Sequence, residues 1–346
     1  MLALMKTAPG PGNIELVEVP TPSPGPGEIL ARVEYAGICG SDLHIQAGDI
    51  QLNLRPPVIM GHEFSGTVAD IGEGVTGFRV GQRVVSETAF STCGRCMPCR
   101  TGNDNVCEHK YLIGFVFPGV FTDYVVLPAE RVHLLPEDIT MLSAVMMEPL
   151  SCAVRGVYEQ ITITPGDTVV VAGPGGMGLL SLQLARAAGA RVVVSGTPED
   201  AERFEMALKL GADRVVDVVN EDLKSILLNM TSGEGADVYI EASGAPAAAR
   251  SGLEVVRRRG QYLQLGLAGA PFEIDFAKIA YREITVKGTL GQKWTAWERA
   301  LKLLSTGQVV TEPLITEVFP LTEWQKAFDK FRAKDGIKIA LKPASR

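Results

Sequence analysis

Apolar and polar positions alternate in short runs over the first part of the chain, at 28–35, 66–72, 81–86 and 121–127, with Gly or Pro punctuating the intervals. Period-two alternation puts successive side chains on opposite faces of a strand, so these runs predict a domain of many short strands, barrel-like in architecture. Around Thr164-Pro165-Gly166-Asp167 the texture changes. Strand-like segments at 168–172, 191–195, 214–217, 237–241, 261–265 and 284–287 now alternate with helical periodicity, which predicts an α/β domain built on a doubly wound parallel sheet. Past Gly288 the pattern gives a helix at 295–305, a strand at 314–319 and a helix at 321–334. A chain of 346 residues exceeds what one hydrophobic core usually supports. The expected division is a β domain over 1–152, the α/β domain over 153–290, and a tail over 291–346 that returns to the first domain.

Charge and composition narrow the function classes. The net charge is −7 with no long basic run, which argues against nucleic acid as a partner. The apolar stretch in the first six residues is far shorter than a leader core, and later apolar runs are broken well before the roughly 20 residues a membrane span needs. The expectation is a cytoplasmic protein that binds no membrane.

Four of the six cysteines, Cys93, Cys96, Cys99 and Cys107, fall within fifteen residues. Thiolates so close in sequence can converge on one tetrahedral ion at about 2.3 Å per Zn–S bond, and a shell filled by four of them has no place for substrate. The run therefore predicts a structural zinc lobe, with free thiols, two disulfides or an iron–sulfur cluster as the alternatives.

A second motif follows the apolar strand at 168–172. Gly173, Gly175 and Gly178, with Gly176 and Met177 between the last two, make a G-x-G-x-x-G turn into a helical segment. Such glycines let a pyrophosphate approach backbone N–H groups at a helix N-terminus, the signature of a dinucleotide site. An acid that binds the adenosine ribose is expected at the end of the next strand, where Gly196 and Thr197 stand instead. Arg203 on the following helix, or Glu199 and Asp200, could serve that position. NAD and NADP both stay open, with a lean toward NADP or dual use.

Upstream lie Gly37-Ile38-Cys39-Gly40-Ser41-Asp42-Leu43-His44 and Gly61-His62-Glu63. Taken singly, each residue has an ordinary explanation: His62 as a satisfied core group, Ser41 as a helix cap, Glu63 as a surface acid, Cys39 as a small buried hydrophobe. Their order, followed by the four-cysteine lobe and the glycine loop, resembles the zinc-dependent medium-chain alcohol dehydrogenases over nearly the whole chain. Glu148-Pro149-Leu150 is similar to the sorbitol (polyol) and threonine dehydrogenase branch of that family.

The resemblance implies a GroES-like β-barrel catalytic domain joined to a Rossmann domain. It implies two zinc ions per chain and NAD or NADP. Cys39 and His62 become catalytic zinc ligands, with Glu63 and Glu148 as the carboxylates that approach the ion; which of the two ligates at rest stays open. Ser41 takes the substrate hydroxyl proton, and His44 passes it toward solvent through the nicotinamide ribose. The implied partner is a small alcohol or its ketone, bound in a cleft between the domains. The chain is expected to form a homodimer or homotetramer, with the strand near 284–290 extended across a subunit boundary.

The substrate stays open among a polyol, a sugar derivative and an amino alcohol, with pocket residues expected on loops at 45–55, 110–120 and 288–294. Arg155 departs from the His that polyol and threonine enzymes often carry there. His109 and His133 match no motif and are expected to be exposed, and Cys152 is expected to be a structural thiol. Two competing functions are a zinc-free quinone or enoyl reductase, which would lack both metal sets, and a nucleotide-sensing or metal-stabilised interaction module.

Overall fold

The alternation at 28–35 becomes a ten-residue strand, Glu28–Gly37, and most of the first unit is built around it. In the computed structural model, which describes residues 1–50 and 52–343, this strand pairs antiparallel with Glu63–Ile71, with Tyr124–Pro128 and with the tail strand Lys338–Lys342. Gln51 of the 45–55 loop and the last three residues of the tail lie outside the described residues. The sheet continues to Arg83–Ser86 and Val132–Leu134 on one side and to Ile315–Pro320 on the other. Its inward positions, among them Ile29, Val33, Phe64 and Leu341, form one core with Phe121 and with Trp324 and Phe328 of the tail. Compact grouping puts 1–149, 292–305 and 310–346 in this unit, and 150–291 with 306–309 in the other.

The second unit carries six parallel strands in the order Arg214–Asp217, Arg191–Gly196, Thr168–Ala172, Ala236–Glu241, Val256–Gln264, Thr285–Gly288. This is the doubly wound Rossmann order. Thr168–Ala172 is buried at all five positions, as expected for a central strand covered by helices on both faces. The chain winds outward through three strands and then restarts beside the first, so the strand order reverses between Thr168–Ala172 and Ala236–Glu241. Ligands of such sheets bind beyond the carboxyl ends of the strands at that reversal.

In the second unit and the tail, two elements differ from the sequence pattern by more than one residue. The fifth strand begins at Val256 and not near 261; Arg258 and Arg259 are exposed, so the run carries no apolar signal there, and a register shift separates Val256 from the regular pairing. The helix expected at 321–334 opens as a 3-10 turn, Leu321–Glu323, before the α-helix Trp324–Arg332. Among the described residues no helix is long and apolar enough to cross a membrane.

His133 corrects an expectation. It is buried, not exposed, and its ring stacks on Trp297 with centroids 5.2 Å apart. Its Nδ1 lies 2.9 Å from Glu298 and its Nε2 3.4 Å from Glu87. The covering side chains come from the tail helix Trp294–Ser305, about 165 residues away in sequence, which no local pattern around position 133 can reveal. His109 is exposed, as expected.

Candidate metal centre and dinucleotide loop

The four-cysteine run folds around the short helix Met97–Arg100. Its sulfur atoms lie 3.4 Å (Cys96 to Cys99), 3.6 Å (Cys93 to Cys107), 3.7 Å (Cys96 to Cys107) and 4.0 Å (Cys93 to Cys99) apart. A tetrahedral shell with about 2.3 Å bonds has sulfur–sulfur edges of about 3.8 Å, so the four thiols already stand at the corners a zinc ion requires. Backbone N–H groups of Arg95 and Cys96 point at Cys93 and bring its thiol down to about 6, favouring the thiolate. Arg131 ties the lobe to the barrel, its guanidinium 2.8 Å from Asp104 and 2.9 Å from Glu87.

The second metal-type cluster is buried and mixed. Cys39 directly precedes the helix Gly40–Ala47 as its N-cap residue. The Cys39 backbone N–H donates to Asp42 Oδ2 at 2.8 Å, which fixes both residues in the first turn. His62 and Glu63 lie at the start of the strand Glu63–Ile71, where Glu63 pairs in register with Gly37. A side chain at Gly37 would collide with the Glu63 carboxylate and with Lys338, so glycine leaves the space those two occupy. Ligand atoms of Cys39, His62 and Glu63 all come within 4.8 Å of one another.

Electrostatics agree with a cation at this point. Burial disfavours charge on His62, but the Cys39 thiol and the carboxylates of Asp42 and Glu148 outweigh it and lift the imidazole to about 10. Burial pushes Asp42 up to about 6 against the pull of His62. A cluster that holds a proton so firmly also attracts a metal ion. His62 Nδ1 is buried without a hydrogen-bond partner, and thiolate, imidazole and carboxylate together suit zinc with a coordination position left open.

Two neighbours complete the electrostatics of this cluster: Asp42, inside the Cys39–His44 motif, and Lys338, for which the local sequence carries no signal. Asp42 is fully buried beside His62. Lys338, also buried, forms an ion pair with Glu63 Oε2 and donates to the Ile38 carbonyl at 2.8 Å. Lys338 arrives from the tail strand Lys338–Lys342, 275 positions beyond Glu63, so only the return of the tail could have revealed it.

Ser41 and His44 share the helix Gly40–Ala47 at a spacing of three, which puts them on one face. Ser41 Oγ is buried without a hydrogen-bond partner. His44 is exposed, and its Nδ1 lies 2.9 Å from Asp49 Oδ1, an orienting contact that the sequence pattern did not single out.

In the second unit, Gly175 caps the helix Gly176–Ala187, whose first turn holds Gly176, Met177 and Gly178. Gly173 takes φ of +95°, a left-handed conformation suited to glycine, and a Cβ on Gly178 would lie 1.8 Å from the Gly173 carbonyl oxygen. Only glycines allow the loop to close this tightly over the helix end. At the end of the strand Arg191–Gly196 the structure singles out Asp200 from the candidates Glu199, Asp200 and Arg203. A Cβ on Gly196 would stand 2.8 Å from Asp200 Oδ2, so Asp200 folds back to the place where the acid was expected. Asp200 accepts the Thr197 backbone N–H at 3.0 Å and pairs with Arg203 at 3.4 Å.

Comparisons with known proteins agree with this arrangement. Residues 25–137 match the model of the alcohol dehydrogenase GroES-like domain, and 176–306 that of the zinc-binding dehydrogenase domain. The chain is 41% identical to a sorbitol dehydrogenase of Halalkalibacterium halodurans, with 99% of both chains covered. It is 39% identical to an L-threonine 3-dehydrogenase of Pyrococcus horikoshii, covering 98% of this chain and 97% of that one. Its fold matches a candidate zinc-binding dehydrogenase of Sinorhizobium meliloti 1021, solved with NADP bound, at a TM-score of 0.91 and 31% identity over 99% of both chains. A GroES-like barrel with two metal-type clusters, a Rossmann sheet with its glycine loop, and relatives matched from end to end place this chain in the family of zinc-binding alcohol dehydrogenases.

Proposed function

We propose that this protein is a zinc-dependent, NAD(P)-dependent oxidoreductase that interconverts a secondary alcohol and its ketone. The gathering of Cys39, His62 and Glu63 in one buried cluster carries the reading, since a purely structural protein needs no second, open metal set. Cys39 and His62 hold the ion, with Glu63 and Glu148 as the carboxylates at its side, while Cys93, Cys96, Cys99 and Cys107 hold a second, structural ion. When bound, the catalytic zinc would supply Lewis acidity toward the alcohol oxygen and the dinucleotide would supply the hydride acceptor.

The chain's own groups do the rest. Lys338 fixes the Glu63 carboxylate beside the cluster, and Asp42 fixes the Cys39 turn. Ser41 Oγ takes the hydroxyl proton and His44, one helical turn on, hands it to solvent. Asp49 accepts from His44 Nδ1, which leaves Nε2 as the atom that receives the proton. The substrate class is a polyol, a sugar derivative or an amino alcohol. Relatives named for sorbitol and for threonine stand at nearly equal identity, so identity does not separate these classes. A turnover screen of secondary alcohols from all three classes, with NAD and with NADP, tests the reading: alcohol-dependent reduction of either dinucleotide is expected, and its absence with every substrate would defeat the proposal.

For cofactor choice we assign Asp200, which stands where the ribose-binding acid was expected and is held by Thr197 and Arg203, the role of accepting from the adenosine ribose hydroxyls, which favours NAD over NADP. A hydrogen bond to a charged group contributes about 1.5–3 kcal/mol, so Asp200→Ala is expected to lower kcat/KM with NAD about tenfold or more relative to NADP. Equal ratios in both proteins would remove Asp200 from the cofactor site. Gly196→Asp is the less informative variant, because its Cβ would crowd Asp200, Pro174 and Phe204.

A further inference from the structure

The last residue of the strand Ala236–Glu241 is a carboxylate with no exposed surface. Among the described residues no Lys, Arg or His pairs with Glu241. Its charge is met by neutral donors: the Ser243 backbone N–H at 2.9 Å and the Ser243 hydroxyl on Oε1, the Gly244 N–H at 3.1 Å from both oxygens, and the Gln264 amide at 2.8 Å on Oε2. Gln264 is itself held in one orientation, because its Oε1 accepts from the Tyr262 hydroxyl at 2.8 Å and its Nε2 also donates to the Gly266 carbonyl at 2.7 Å. The Glu241 backbone carbonyl accepts from Leu265 and Gly266. One residue thus locks the turn at 242–244 and the turn at 265–266 together.

Both turns stand at the carboxyl ends of neighbouring strands, on the side of the reversal that faces the glycine loop. A Cβ on Gly173 would lie 2.7 Å from Ser243 Cβ, and a Cβ on Gly266 would lie 2.3 Å from the Gly244 nitrogen. The glycine loop therefore lies directly against Ser243, with no room for a side chain at position 173. A buried carboxylate with no cation costs stability that an apolar residue would not. A gain in the preorganisation of a ligand site is the compensation such a group can supply.

We propose that Glu241 is a positioning residue of the dinucleotide site, holding the Ser243–Gly244 turn as the wall on which the 173–178 loop is set. This rests on the reading that the 173–178 loop binds a nicotinamide dinucleotide. In Glu241→Gln the side chain keeps its shape, but one acceptor oxygen becomes an NH2 group, so whichever way the amide turns it faces at least one donor that it cannot satisfy.

The test is equilibrium binding of NAD and of NADP to the zinc-loaded full chain, as wild type, Glu241→Gln and Ser243→Ala, with zinc content, melting temperature and steady-state kinetics measured on each. Glu241→Gln is expected to raise the dinucleotide Kd and KM about tenfold or more, with zinc content unchanged and kcat near wild type. Ser243→Ala, which removes one donor to Glu241 and the acceptor of the Ala245 backbone N–H but leaves the other donors to Glu241 in place, is expected to raise Kd by a smaller factor, about threefold or more. A lower melting temperature with an unchanged Kd would make Glu241 a structural residue and overturn the proposal. Should Glu241→Gln fail to fold, Ser243→Ala decides: a raised Kd upholds the proposal and an unchanged one overturns it. Wild type that binds neither dinucleotide would instead sink the underlying reading, and the proposal with it.

Discussion

Cys39→Ser and His62→Ala each lower kcat/KM for alcohol oxidation by about 10³-fold or more, while the dinucleotide Kd moves by less than about threefold. The size follows from the role assigned to the ion: polarising the alcohol oxygen is worth several kcal/mol, and each 1.36 kcal/mol is a factor of ten. Selectivity follows from the fold, since the ligands belong to the barrel unit and the glycine loop to the Rossmann unit. His44→Ala is expected to be milder, near the lower end of the ~10²–10⁴-fold typical of general acid–base groups, because His44 is exposed and water can take over part of its task. Undiminished turnover in His62→Ala, on any substrate the screen finds, would defeat the metal mechanism.

Zinc content gives the second large effect. The purified protein is expected to hold two zinc ions per chain and to lose them at different rates. A closed four-sulfur shell has no open position for a chelator to enter, whereas the mixed cluster has one. Activity should fall with the first ion lost, and the melting temperature chiefly with the second. Cys99→Ser should remove the second ion and destabilise the lobe, because the binding free energy of a structural zinc, about 10–16 kcal/mol in small zinc domains, is largely folding free energy. A single zinc that survives in Cys39→Ser and disappears in Cys99→Ser would leave no ion for catalysis.

Much of this site was legible in the sequence because its residues come in short local motifs. Cys93 to Cys107, Gly173 to Gly178 and Cys39 to His44 each sit within one turn or loop, and spacing alone conveys what such a segment can hold. Groups that act across the chain left no such trace. Lys338 meets Glu63 only because the tail strand pairs with Glu28–Gly37, and His133 is buried only because the tail helix covers it. Asp200 shows a third limit. The sequence offers it only as one of three alternatives with Glu199 and Arg203; its side chain folds back three or four residues to the place where a carboxylate was expected at 196, and position counting along a strand cannot choose it over the other two. Glu241 reads in sequence as the polar end of a strand; its burial under two turns is a property of the sheet.

The most direct test of the central claim is alcohol-dependent reduction of NAD(P), measured on the zinc-loaded protein, on protein stripped of its labile ion with the four-cysteine ion retained, and on the stripped protein given back one equivalent of zinc. The account predicts turnover in the first, loss of about 10³-fold or more in the second, with dinucleotide binding retained, and recovery in the third. Full turnover in protein that holds only the four-cysteine ion would contradict it.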